Sequence, residues 1–445
     1  MMLVQSPNAE VRPSTASVNE LGHLVVGGMD TVELARQYGT PLWIMDEQTM
    51  VEAMSAYKRG LQDYPGESQV LYAGKAFLNT AMVHLIRENG LGLDVVSHGE
   101  LITATKANMP ADLIFMHGNN KSEAEVGTGL IYGNVKIVVD GISELRMVAR
   151  LAQRMKKRAQ ILIRVIPGVE PDTHSHIITG HDDSKFGVPL EELSDLVKEA
   201  LTYDSIELLG LHGHIGSQAL EMEPYYEYVD IMADTVAKLN AAHGISLNHL
   251  DVGGGLGIAY TSDDDATPII EWTRGIANRV QSAFRERALP LPKLYVEPGR
   301  SIVGSAGVTL YTVGHVKQTA GGKTLIAVDG GMADNPRPIT YDAKYTASVA
   351  NRMNSGTSQN PAALVGKFCE SGDIIIKETH MEAETGDIIA IFGTGAYNYS
   401  MASNYNRTAR PACVLVSNGE AEVIIERETF EDLLRHDRVP KRFVR

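Results

Sequence analysis

The residues best suited to chemistry in this chain are a lysine, a triple glycine, a carboxylate near an arginine, and a thiol beside two carboxylates. Lys75 follows the short apolar run Val70–Ala73 and offers an amine for Schiff-base formation. Gly253-Gly254-Gly255 has no side chains to pack and a costly backbone to order, so something must approach that backbone closely. A phosphate held by main-chain N–H groups is the natural occupant. The run is not a dinucleotide fingerprint, because Ile258 stands where the third glycine belongs. Gly322-Lys323-Thr324 resembles the end of a nucleotide loop, but Lys317 replaces its first glycine, so a hairpin turn is expected there. Glu297, followed by Pro298-Gly299-Arg300, sets a carboxylate beside a fixed cation. His212 and His214 are two apart, as are His174 and His176, a spacing that puts both rings on one face and suits a metal. No Cys or His cluster completes a ligand set, so hydrogen bonding is the expected role and no metal is assigned. Cys369 lies beside Glu370 and close to Asp373, a setting for giving a proton rather than attacking as a thiolate. Cys413, inside the apolar run Ala412–Val416, reads as packing. Arg337 and Tyr341 are four apart, and Gly393–Tyr397 is a turn ending in an aromatic hydroxyl.

Taken singly, each of these fits a surface charge, an ion pair or a tight turn. Their positions are what makes them a set. Eight short apolar runs end in Gly, Asp, His or Asn: Val70–Ala73, Gly92–Val96, Leu113–Met116, Lys136–Val139, Gln160–Ile166, Leu208–His212, His249–Val252 and Lys293–Val296. Helical periods lie between them, as in Ser143–Met155 and Leu190–Leu201. Continuous apolar runs suit strands buried on both faces, and eight strand–helix units predict an eight-stranded parallel (β/α)8 barrel rather than a doubly wound sheet. Barrel sites form where the strands end. Those ends carry Lys75, Asp94 with Ser97, His117, Asp140, Arg164, His214, the glycine run and Glu297. An amine, a phosphate cup and an acid for a ring nitrogen are the parts that pyridoxal phosphate chemistry requires.

After Gly299 the pattern changes. Ser301–Val316, Thr324–Val328, Asp387–Phe392, Ala412–Val416 and Glu422–Glu426 alternate as half-buried strands, predicting a second, mainly β domain. Ser355–Pro361 reads as a polar loop and Glu428–Arg435 as a terminal helix. The expected division is a flexible tail over 1–20, the barrel over 48–299, and a β-rich domain built from 21–47 and 300–445. The 445 residues include 40 Lys and Arg against 55 Asp and Glu, a net charge of −15. That field repels a phosphate backbone, so neither nucleic acid nor an anionic membrane is an expected partner. Hydrophobic content of 44% fits a globular protein, and no stretch reads as a membrane span. The first residues show no secretory signal, and two cysteines cannot form a disulfide framework, which together predict a cytoplasmic location.

Tyr72-Ala73-Gly74-Lys75-Ala76, His214-Ile215-Gly216-Ser217, Asp251–Gly255, Glu297–Arg300 and Cys369–Asp373 occur in an order that resembles the fold-type III pyridoxal phosphate decarboxylases. Arg337-Pro338-Ile339-Thr340-Tyr341 and Gly395-Ala396-Tyr397, ahead of Tyr405-Asn406, resemble the branch acting on diaminopimelate. The resemblance runs from about Gly22 to the C-terminus. It implies that Lys75 holds the cofactor, that Asp94 lies near it, that His214 stacks on the ring, and that Glu297 pairs with the ring nitrogen. It implies a phosphate site of Ser217, Gly253, Gly254, Gly255, Gly299, Arg300 and Tyr397. Arg300, Arg337, Tyr341 and Tyr397 would contact the substrate, and Glu370 would take its distal ammonium. Cys369 would return the proton after carbon dioxide leaves. The implied reaction is decarboxylation of meso-2,6-diaminopimelate to L-lysine in an obligate homodimer with shared sites. One departure is Ile166 in Arg164-Val165-Ile166-Pro167, where many relatives carry Asn. The competing readings are a decarboxylase for carboxynorspermidine, ornithine or arginine, and a metal-dependent barrel hydrolase using His212 and His214. Arg337 argues against ornithine, whose distal end has only an amine.

Overall fold

The structure, a computed structural model, describes residues 6–169, 184–354 and 357–444; His174 and His176 lie outside them. The chain divides into two compact units, one of Met1–Ala9, Val51–Ile258 and Asp264–Ile302, the other of Glu10–Met50, Ala259–Asp263 and Val303–Arg445.

In the first unit the eight apolar runs are eight parallel strands: β1 (Ser68–Ala73), β2 (Gly92–Val95), β3 (Ile114–Met116), β4 (Lys136–Val139), β5 (Ala159–Ile166), β6 (Ile206–Gly213), β7 (His249–Asp251) and β8 (Lys293–Val296). They pair in sequence order, and β8 pairs with β1, so the sheet closes into the expected barrel. The covering helices include Ile142–Met155 and Leu190–Ala200, within a residue of the periodic segments. Leu145, Val148, Ala149, Leu151 and Ala152 form the buried stripe of the former. Asn79, Ser97 and Ser122 each start a helix by accepting a backbone N–H through the side chain. Leu71, Phe115, Val138, Leu162, Leu209 and Tyr295, from six different strands, form one buried cluster, with the Phe115 and Tyr295 rings 4.9 Å apart. This packed interior leaves the strand ends as the place where polar groups can gather.

The N-terminal residues depart from the expected tail. Asn8 is fully buried and donates to the carbonyls of Gly257 at 3.1 Å and Thr267 at 2.9 Å. One short amide anchors the segment, a contact that no local pattern announces.

In the second unit, Leu42–Asp46 lies between Gly307–Gln318, antiparallel to it, and Ala412–Ser417, parallel to it. Gly307–Gln318 continues through a tight turn at Gly322, as expected, into Thr324–Val328. Three expectations need correction. The strand expected over Ser301–Val316 begins only at Gly307, because Arg300–Val303 is helical and the chain turns at Gly304. The Ser355–Pro361 segment, expected as a loop, contributes to the strand Thr357–Val365, which pairs on both sides. Pro361 is tolerated there because the register shifts between Thr357 and Ala362. Ile374–Met381, unrecognised in the sequence, is its antiparallel neighbour. The terminal helix is shorter than expected, Phe430–Leu434, with Thr429 and Asp432 forming a capping box.

A buried acid links this sheet to pH. Asp334 accepts the Gly331 N–H at 3.1 Å and hydrogen-bonds the Tyr311 hydroxyl, and burial pushes its carboxyl up to about 7. The folded state therefore keeps a proton that the unfolded chain has already lost, and stability falls as pH rises from about 4 to about 7. Asp334→Asn matches the protonated acid in shape. Its thermal midpoint should fall less than that of the wild type between about pH 4.5 and about pH 7.5, and equal slopes would refute the assignment.

Candidate active site

The ends of the barrel strands bring one group of side chains together within the first unit. Lys75 is exposed on the turn Gly74–Ala76 that follows β1. Asp94 lies near the end of β2, His117 follows β3, His212 is on β6, Asp251 closes β7 and Glu297 follows β8. Asp94, His117, His212, Asp251 and Glu297 are all buried.

Glu297 is the centre of this group. Its Oε2 accepts a hydrogen bond from His212 Nε2 at 3.2 Å. His117 Nε2 lies 2.9 Å from Oε1 without completing a hydrogen bond, and 3.7 Å from Asp94 Oδ1. The two imidazoles pack edge to face, 4.8 Å between centroids. Burial alone pushes the Glu297 carboxyl up, but the two histidines outweigh it and hold it well below the usual carboxylate range. Burial drives His212 down to about 4, so its ring is neutral and donates to an anion. Asp251 moves the opposite way, pushed well above the ordinary range by burial and then by the Glu297 charge. One acid of the neighbouring pair is thereby kept ionised and the other protonated. Asp94 is raised by burial, against the charge of His117.

His212 and His214, whose spacing would also suit a metal, make separate hydrogen bonds. His212 faces Glu297, whereas His214 Nδ1 accepts the Gly254 N–H at 3.4 Å. The ligand-type atoms gathered among the described residues are those of His117, His212 and Glu297, all within 4.8 Å of one another, and a hydrogen bond already joins two of them. Burial of the His214 ring, then the Lys75 charge, holds it well below its ordinary pKa, so it too is neutral.

The glycines carry their expected constraint. A Cβ on Gly254 would sit 2.0 Å from the Glu297 carbonyl oxygen, and one on Gly255 would sit 2.4 Å from that of Gly216. Gly253 adopts φ +69° and gives its N–H to Asp251 Oδ1 at 2.9 Å. Gly299 packs against Ala73 and Ala76. Arg300 is buried and donates from Nη2 to Ser217 Oγ at 3.0 Å, joining two motifs 83 residues apart.

The second unit holds the remaining predicted residues. Arg337 is buried, and its Nη1 donates to the hydroxyls of Tyr260 and Tyr345, both at 2.8 Å. Tyr341 is 65% exposed and makes no part of that cluster. Cys369 is exposed and unoxidised, and its N–H donates to Asn406 Oδ1 at 3.4 Å. Glu370 accepts from the Tyr405 hydroxyl. Tyr397 has φ +60°, a left-handed conformation costly for an aromatic residue and common at sites that dictate backbone shape. Sequence reasoning placed no role on Asp373 itself. Its carboxylate accepts the Phe368 N–H at 2.9 Å, closing the thiol loop, and the Met332 N–H at 2.7 Å, tying that loop to the turn after Gly331. Tyr260, Tyr345 and Asp373 had no signal beyond residue type, because their partners are remote in sequence.

Residues 47–304 match the family model of the pyridoxal-dependent decarboxylase, pyridoxal binding domain. Over 99% of its length the chain is 44% identical to diaminopimelate decarboxylase of a Synechocystis species, covering 95% of that protein. The chain belongs to the diaminopimelate decarboxylase family. Among solved structures, diaminopimelate decarboxylase from M. jannaschii in complex with L-lysine superposes with TM-score 0.90 and 34% identity, over 97% of this chain and 99% of that one. The Helicobacter pylori enzyme complexed with L-lysine gives TM-score 0.83 and 34% identity, over 91% and 98%.

Membership of the diaminopimelate decarboxylases makes the protein a carboxy-lyase with pyridoxal 5′-phosphate as its cofactor. The residues fit that group on two counts. Oε1 of Glu297 is a buried anionic oxygen without a hydrogen bond, the acceptor a protonated ring nitrogen needs. A Cβ on Gly254 or Gly255 would collide with neighbouring main-chain oxygens, so the turn after β7 offers backbone and no side chains at the strand ends, as a phosphate cradle requires. Gly254→Ala should cost about 1–3 kcal/mol through overpacking and weaken cofactor retention, while Gly141→Ala, in open space, should change neither. Dialysis of the two variants, followed by absorption at the cofactor band, checks this. Asp373→Asn puts an amide against two N–H donors, so it should cost about 1–3 kcal/mol in thermal stability and alter the alkylation rate of Cys369.

Proposed function

We propose that the chain decarboxylates meso-2,6-diaminopimelate to L-lysine and CO2 as the last step of lysine formation, in the cytoplasm and as a homodimer. The observation that carries this reading is the buried, ionised carboxylate of Glu297 at the barrel mouth, in a chain alike over nearly its whole length to enzymes of that name. Bound pyridoxal phosphate supplies the electron sink for the carbanion left when carbon dioxide departs.

Lys75 would hold the cofactor through its side-chain amine. Glu297 would face the ring nitrogen as an anion, and neutral His214 would lie against the ring without adding a charge that opposes a positive nitrogen. Asp94 tunes Lys75 from beside it. Ser217, Gly253, Gly254, Gly255, Gly299, Arg300 and Tyr397 hold the phosphate, with the Arg300–Ser217 bond orienting both.

The substrate carries two carboxylates and two ammonium groups, so its distal end needs a cation and an anion. Arg337, oriented by two tyrosine hydroxyls, supplies the fork for the distal carboxylate, and Glu370 receives the distal ammonium. Arg300, Tyr341 and Tyr397 complete that surface. Binding energy from this remote end orients the reacting end. Cys369 returns the proton to the carbon that lost carbon dioxide. In the dimer, the Cys369–Asp373 loop of each subunit serves the other's Lys75.

Lys75→Ala should abolish both the yellow absorption of the bound cofactor and lysine production; survival of either sinks the reading. Cys369→Ala should keep the absorption and lower kcat by about 10²–10⁴. Turnover assays with ornithine, arginine and carboxynorspermidine should show diaminopimelate strongly preferred, and Arg337→Lys should raise KM for it by losing the bidentate fork.

A further inference from the structure

Glu297 has two oxygens, and its proposed task uses one of them. What decides which oxygen faces the cofactor, and keeps the group ionised in a site from which water is excluded, has to come from its neighbours. His212 on β6 pairs in register with Asp251 on β7, and Asp251 with Tyr295 on β8, two residues before Glu297. The barrel therefore brings the His212 ring to the Glu297 carboxylate across two strands. His212 is 1% exposed, and its Nε2 makes the completed hydrogen bond on Oε2, whereas Oε1 has none. Its Nδ1 is buried without a hydrogen-bond partner, so the ring has no competing acceptor to turn towards.

We infer that His212 is a positioning residue for the decarboxylation: by donating Nε2–H to Oε2 it locks the Glu297 carboxylate in the rotation that presents Oε1 to the ring nitrogen of the cofactor. The inference rests on the reading of Glu297 as that nitrogen's partner. Asp251 already faces this carboxylate, and the tie through His212 limits its rotation further towards that acid. A neutral donor suits the task better than a cation, because a full positive charge on His212 would compete with the pyridinium for the same anion. The other titratable or charged groups facing this carboxylate and its partners are His117 after β3, Asp94 on β2, Arg164 on β5, His214 after β6, Asp251 on β7 and Lys75 after β1. His117 reaches Oε1 itself without bonding it, so it borders the site left for the cofactor and does not take the locking role.

The test compares His212→Leu, which removes the donor, with His212→Gln, which returns an N–H near the same point. Each is purified, stripped of cofactor and titrated with pyridoxal 5′-phosphate, and the pH midpoint of the bound cofactor's absorption is measured alongside kcat and KM. His212→Leu should bind the cofactor about tenfold more weakly, shift that midpoint and lower kcat with KM little changed, and His212→Gln should restore all three. A His212→Leu protein with wild-type affinity, midpoint and kcat but a lower melting temperature would show that the ring only packs. A folded His212→Gln that restores nothing would equally overturn the inference. If His212→Leu yields no folded protein, His212→Asn, polar but too short to reach Oε2, replaces it in the same comparison. Failure of the wild type itself to bind pyridoxal phosphate would sink the functional reading instead.

Discussion

An ionised carboxylate taken out of water is among the costliest groups a protein can bury, and the mouth of this barrel is organised around one. Glu297 stays an anion because two imidazoles meet its oxygens at 2.9 and 3.2 Å and because its acidic neighbour Asp251 accepts the proton instead. Without the imidazoles, burial alone would favour its protonated form. His212 in turn stays neutral because it is buried, and it meets the carboxylate as a donor. Under the proposed reading, a pyridinium would bring a positive charge to that carboxylate. The barrel's central chemical task and its largest electrostatic liability are the same residue.

Close backbone approach is the second constraint, and it follows from the first. The Gly254 Cα lies so near the Glu297 carbonyl that no larger residue fits, and the Glu297 N–H donates to the Gly253 carbonyl at 2.8 Å. The turns after β7 and β8 are therefore built as one piece. The same glycines thus fix the height of the Glu297 carboxylate above the barrel through a shared main chain.

The second unit solves a different problem, holding reactive groups on loops. Arg337 is buried among phenols that orient it, while Cys369 and Glu370 stay exposed on a loop that Asp373 closes through the Phe368 N–H and ties to the Met332 N–H of a neighbouring turn. Gly331 and Gly366 leave room for that carboxylate, since a Cβ on either would fall within 2.5 Å of its oxygens. An exposed thiol with a pinned backbone can be presented to a reaction without being free to wander.

The linear chain determined the barrel almost to the residue. Parallel strands buried on both faces leave continuous apolar runs and their helices leave a 3.6-residue period, so both signals are local. Lys75, the glycine run, Glu297 and Cys369 stand out in the sequence for a related reason, since the chemistry proposed for them is carried by residue type and by immediate neighbours. The strand through Pro361, the anchoring of Asn8 and the pinning role of Asp373 were not legible, because each depends on a partner far along the chain. His212 shows the division within one residue. Its spacing from His214 suggested a shared metal, yet the closed barrel turns one ring to Glu297 and the other to Gly254. Sequence alone determined which groups stand at the strand ends. Only barrel closure, which brings β6, β7 and β8 side by side across intervals of 40 residues and more, decided which of them meet and which carry charge.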